Sequence, residues 1–119
     1  MNEGNKGEKL YDLSDLEEIS GGSRDFVQQM LQLFIDQSET TITGFKASLE
    51  NNDLAQIKSL AHQIKPSIDN IKIHPLSKLI REVEGAPEDN LPSSDLEPKI
   101  NSTIEWLEKV NQQLLREIK

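Results

Sequence analysis

The strongest constraint on how this chain folds is an apolar seam in its middle. Leu54, Ile57, Ala61, Ile64, Ile68 and Ile71 recur at steps of 3, 4, 3, 4 and 3. Those steps put all six on one side of an α-helix and leave nothing for the two-residue alternation of a strand. A helix with one apolar side must bury it against other helices or a sheet. The rest of the chain offers only helices. The expected fold is therefore all-α, an antiparallel four-helix bundle with a short extra helix at the N-terminal end.

The neighbouring segments are read by the same rules. Met1 to Leu10 is polar with two glycines and reads as a flexible tail, leaving residues 11–119 as the domain. Ser14-Asp15-Leu16-Glu17 has the form of a capping box for a short helix, which Gly21-Gly22 ends. Ser23 then caps a long second helix over Arg24–Asn51, with Phe26, Met30, Leu33, Phe34, Phe45 and Leu49 at helical spacing. Thr40, Thr41 and Gly44 weaken its middle. Asp53 and Gln56 can cap the third helix reciprocally, and Pro75 suits the first turn of a fourth that carries Leu76, Leu79, Ile80 and Val83 to Gly85. The last helix places Ile100, Ile104, Leu107, Val110 and Leu114 inward. Its start is contested between a Ser94–Glu97 capping box and Pro98. The aromatic residues, Trp106 among them, read as core.

Composition narrows the function classes. A net charge of −8 argues against a nucleic-acid surface, which needs a basic face. Cysteine is absent, which excludes disulfides and thiolate metal sites. The first twenty residues lack the apolar core of a signal peptide, and no apolar run has spanning length, so a soluble cytoplasmic protein is expected. One stretch departs from the acidic background. From Leu54 to Ser67 there is no acid, but there are Lys58 and Lys65, a positive island centred on His62.

His62 lies on the order of 125° from the centre of the seam, on the solvent side of its helix. Lys58, Lys65, Pro66 and Asp69 stand four, three, four and seven residues from it. Pro66 is unusual, because a helix interior rejects proline at roughly 3 kcal/mol. Its missing N–H frees the carbonyl of His62, and its ring leaves little bulk beside the imidazole. An exposed imidazole between two lysines suits phosphoryl acceptance. Neutral histidine is a nucleophile, and the lysines would then attract the phosphoryl anion. Ser67 offers a hydroxyl nearby. The chain has no Gly-rich phosphate loop and no acidic metal cluster, so an accepted phosphoryl group must come from another protein and pass to another. A hydrolase reading lacks a second acid, base or oxyanion group.

At these residues the sequence resembles the histidine phosphotransfer (HPt) domains of multistep two-component signalling. His62-x-x-Lys65-Pro66-Ser67, preceded by Leu60-Ala61, looks like that family's His-x-x-Lys-Gly/Pro-Ser core. Tyr11-Asp12-Leu13, GGSRDFVQQMLQLFIDQ and PLSKLIREVEG are similar to its flanking helices, so the likeness covers residues 11–85, and the last helix by periodicity. The resemblance implies that His62 carries a phosphoryl group and that Lys65 stabilises it; Lys58, Pro66 and Ser67 are expected from their spacing to support the site. It implies docking of a receiver domain, from a response regulator or hybrid sensor histidine kinase, that brings the aspartate and the Mg²⁺. This chain itself needs no cofactor, binds neither nucleic acid nor membrane, has no autokinase site and is expected to be a monomer. Leu16, Ile19, Phe26, Gln63 and Asp69 are the expected docking residues, although Leu16, Ile19 and especially Phe26 also read as core. The alternative is an HPt-like module that docks a receiver or kinase without being phosphorylated. The family often has glycine about ten residues after the histidine. Here that position is Lys72, and Asn70 is the candidate for the left-handed turn.

Overall fold

The computed structural model describes residues 9–85 and 93–118. It contains α1 (Ser14–Ile19), α2 (Arg24–Asn51), α3 (Leu54–Asn70), α4 (His74–Gly85) and α5 (Ser93–Glu117). Two residues join α2 to α3 and three join α3 to α4, so each pair must run antiparallel. In space α2 packs on α3 and α5, and α4 packs on the same two, closing a four-helix ring with α1 against α2. The expected fold class is the observed one.

The seam behaves as its periodicity requires. Ile57, Ala61, Ile64, Ile68 and Ile71 are buried, and only the first member, Leu54, is exposed, at the start of α3 beside the turn from α2. They meet Phe45 and Leu31 of α2, Leu76, Ile80 and Val83 of α4, and Leu96, Ile100, Leu107 and Leu114 of α5 in one core. Ser38 is also buried there, its hydroxyl donating to the Phe34 carbonyl at 2.8 Å. Gly44, which weakens α2 by propensity, has a packing reason. A Cβ at that position would lie 2.8 Å from Leu60 Cδ1, so its absence lets α2 and α3 approach.

Several helix ends differ from expectation. Ser14 does not cap α1 but is its first residue, and the Asp12 carboxylate accepts from the Ser14 N–H at 2.9 Å. Ser23 and Asp53 cap α2 and α3 through the N–H groups of Phe26 and Gln56. Lys72 itself, not Asn70, takes the left-handed turn after α3, at φ 53°. The N–H groups of Lys72 and Ile73 then reach back to the carbonyls of Asp69 and Ile68, satisfying the helix end. Helix α5 starts at Ser93 and runs through Pro98, and residues 86–92 of the turn-rich stretch lie outside the described residues. At the N-terminal side, Lys9 and Leu10 lie against α5. Lys9 pairs with Glu117, and the Leu10 N–H donates to Gln113 at 2.9 Å. The Tyr11 ring is buried and its hydroxyl donates to Glu117 at 2.8 Å. Burial and then that carboxylate push the phenol well above its usual range. No helix among the described residues is long and apolar enough to cross a membrane.

Candidate functional site

The α3–α4 hairpin builds the site. Because the two helices are antiparallel about a tight turn, residues equally far from the turn face each other. His62 and Glu84 lie eleven residues before and after Ile73. Nδ1 of His62 is 2.7 Å from Glu84 Oε2, and Lys65 Nζ is 2.7 Å from Glu84 Oε1. One carboxylate therefore holds both residues of the His-x-x-Lys motif. Further toward the turn the hairpin is locked again. Arg81 binds Asp69 through two nitrogens at 2.7 and 3.0 Å, and Ser77 donates to the same carboxylate at 2.7 Å.

These contacts fix charge states. Hydrogen bonding from Lys65, and after it from His62, holds the Glu84 carboxyl below its usual range against the opposing effect of burial. The Arg81 hydrogen bond does the same for Asp69. Glu84 is thus a carboxylate, which only accepts hydrogen bonds, so the proton of the facing imidazole sits on Nδ1. In the neutral ring the lone pair is then on Nε2, at the edge turned away from Glu84. The His62 side chain keeps 70% of its surface exposed, against 17% for Glu84. The ring is tethered on one side and open on the other.

Helix α2 holds α3 from the opposite flank. Gln37 Nε2 donates to the Gln63 carbonyl at 3.2 Å, and Ser67 donates to Gln37 Oε1 at 2.7 Å. This clasp straddles Pro66, where the ladder of α3 lacks one N–H. Pro66 and Gln63 are exposed, and Lys58 is half-buried. His74 is exposed as the first residue of α4, at the other end of the hairpin.

An apolar stripe runs along α2 to this clasp. Phe26, Met30, Leu33 and Gln37 follow at steps of four, three and four, on one face. Leu33 is 59% exposed and Phe26 37%, so neither is the core residue that periodicity suggests, and Ile19 of α1 adds a side chain 73% exposed. Between the stripe and α3 is a hollow of about 210 Å³ bordered by Leu16, Met30, Leu33, Phe34, Gln37 and Ser67. Leu16 is buried and forms part of its floor.

Two features escape a residue-by-residue reading. The positive island is not unopposed, because Glu84 neutralises Lys65 across the hairpin; counting outward from the turn at Ile73 would have found it. The Gln37 clasp has no such signal, since it depends on the rotation of α2 against α3. Among the described residues no three His, Asp or Glu side chains gather as a metal site.

The profile of the Hpt domain family matches residues 29–117, which takes in the motif, Glu84 and all of the last two helices. The chain belongs to the Hpt domain family. Its role accordingly lies in phosphotransfer within two-component signalling, where Hpt domains work with receiver domains and histidine kinases. The fold agrees with a solved structure, the HPT domain of a sensor hybrid histidine kinase from Shewanella. That match has a TM-score of 0.76 and 21% identity, over 90% of this chain and 92% of the other. Comparison with curated proteins finds no match. In this Hpt domain the exposed His62, Lys65 and Glu84 all lie within the matched residues.

Proposed function

We propose that this Hpt domain relays a phosphoryl group between receiver-domain aspartates, with Nε2 of His62 as the carrier atom. The observation that carries the reading is the imidazole itself, open to solvent at one edge and held at the other by Glu84. In the forward step the Nε2 lone pair attacks phosphorus, an N–P bond forms, and the P–O bond to the donor aspartate breaks with its pair on the carboxylate. The receiver brings the Mg²⁺ and the aspartate. Lys65 meets the incoming anion by giving up part of its contact with Glu84, and Ser67, Pro66 and Lys58 shape the surroundings.

The docking surface in this reading is the α2 stripe with Ile19, continued by Gln63 and Asp69 around the histidine. Exposed apolar side chains in line with a reactive group are a normal form for such an interface. The α2 stripe reaches the histidine's own turn through Gln37, which ends it and donates to the Gln63 carbonyl.

The test is direct. A phosphorylated receiver domain with Mg²⁺ is mixed with this protein, and the label should move onto it in a form stable to alkali and lost in acid, as a phosphoramidate is. No transfer from any receiver of the same genome would reject the proposal. Two variants refine it. Leu33→Asp should weaken docking, raising the receiver concentration needed for half-maximal rate about tenfold without changing the saturated rate. An unchanged concentration dependence would take α2 out of the interface. Lys65→Ala should slow the saturated transfer step while the helical signal stays intact, and normal rates would remove the lysine from the mechanism.

A further inference from the structure

We propose that the groove between α2 and α5 is a docking site for a basic amphipathic helix of a partner protein, separate from the receiver surface.

The four bundle helices form a ring with four seams, and side chains close three of them. Gln37 joins α2 to α3, Glu84 and Asp69 join α3 to α4, and Lys99 joins α5 to α4 by donating to Glu82 at 2.9 Å. Among the described residues the fourth seam, α2 to α5, carries no such bond, and a hollow of about 550 Å³ opens there. Arg24 and Val27 of α2 border another hollow together with Glu117, so the start of α2 meets the end of α5 and the two run antiparallel. In the larger hollow Glu39 therefore lies toward Leu115 and Thr43 toward Glu108, with Ile42 and Asn111 between them.

Two observations make this seam more than a packing gap. Asn111 is only 8% exposed, and its Oδ1 is buried with no hydrogen-bond partner. A lone buried acceptor destabilises a fold, so its retention on the wall of an open groove calls for a partner that supplies a donor. The torsion that turns an asparagine amide is soft, so the carbonyl can swing to meet one. One turn further along α5, Leu115 stands 55% exposed and borders the same hollow as Ile42. Apolar surface and an unmet acceptor thus occur together.

Charge selects the occupant. Glu39 and Glu108 are exposed, one from each helix, and among the described residues neither is hydrogen-bonded or ion-paired. The nearby cations Lys46, Lys109 and Arg116 do not border the hollow. A second copy of this chain, with a net charge of −8, would bring acid against acid. A helix with apolar residues on one side and lysine or arginine beside them fits instead. Its apolar side covers Ile42 and Leu115, its cations meet both carboxylates, and one of them donates to Asn111 Oδ1. At about 100° per residue, Glu39, Ile42 and Thr43 fall on the side of α2 away from Phe26, Met30, Leu33 and Gln37. The α2–α5 seam is also across the ring from the α3–α4 hairpin, so both surfaces can be occupied at once.

The experiment titrates the ¹⁵N-labelled full chain, at physiological ionic strength, with a short synthetic leucine–lysine helix whose leucines fall at i, i+3, i+4 and i+7. Binding should saturate at one peptide per chain, with the largest amide shifts at Ile42, Thr43, Asn111 and Leu115, and a leucine–glutamate counterpart should cause none. Reversing both acids, Glu39→Lys with Glu108→Lys, should weaken binding about tenfold or more. Asn111→Leu should also weaken it, yet raise the melting temperature by a few degrees, because the orphaned acceptor is gone. An asparagine with a purely structural role would give the opposite change in melting, and that result would overturn its place in the site. Shifts that never saturate, that spread over every acidic face, or that centre on Phe26, Leu33 or His62 would overturn the proposal. So would an affinity unchanged by the double reversal. A concentration-dependent dimer with shifts at the same four residues would give the groove to a second copy and reject the basic partner. None of these readouts depends on phosphorylation of His62.

Discussion

His62→Gln is expected to take up no phosphoryl group from a phosphorylated receiver while melting within a few degrees of the parent protein. The loss should be complete because an amide offers no nucleophilic nitrogen where Nε2 stood. The fold should hardly notice. His62 is largely exposed, glutamine is a good helix former, and the core seam of α3 is on the other side. The change removes one partner of Glu84 but leaves Lys65 on its other oxygen, so the cost stays near that of an exposed pair, about 1 kcal/mol or less. The same variant also separates a relay from a module that only docks. It should still compete with the parent for the receiver, since the α2 stripe is untouched. Label persisting in His62→Gln, or moving to His74, would end the assignment. His74 lies at the far end of the hairpin, beyond the Asp69–Arg81 lock, and has no motif lysine beside it.

The sequence made α3 legible because its function and its packing occupy opposite sides of one helix. Five members of its seam are buried, and the histidine that periodicity pushed outward is outward. Helix α2 was harder to read, because apolar residues occupy two of its faces. Phe34 and Phe45 enter the core, whereas Phe26 and Leu33, equally apolar, face solvent. Periodicity alone cannot assign such a helix, since serine and threonine at Ser38, Thr41 and Ser48 are buried in the positions apolar residues would mark. Gly44 was misleading for a related reason: its cost is local and visible, its benefit is the approach of Leu60 from another helix. Glu84 is distant from His62 in sequence and becomes its neighbour only once the α3–α4 turn is set. Lys72 in a left-handed turn shows the same lesson on the backbone, since a residue that pays a modest conformational cost is held there by two helix-ending hydrogen bonds.

The buried face of α2 predicts the largest loss of stability. Phe45 is fully buried, in the stretch where Gly44 lets α3 come close, and it is the bulkiest of the fully buried side chains. Phe45→Ala removes the ring's transfer energy and leaves a cavity that neighbouring helices, held by short loops, cannot close, so a cost of roughly 3–5 kcal/mol is expected. Domains of this size are stable by only about 5–15 kcal/mol, so the variant should lose a large part of its margin. The helical signal in a thermal melt should drop by roughly 10–20 °C. Leu33→Ala, on the exposed face of the same helix, should leave the melt nearly unchanged although it removes a side chain of similar character. A shift below about 1 kcal/mol for Phe45→Ala would mean that α2 does not present this face to the core. Since His62, Lys65 and Glu84 are held by the α3–α4 hairpin, phosphotransfer measured well below the new melting point should survive in Phe45→Ala, so that stability and transfer fail through different residues.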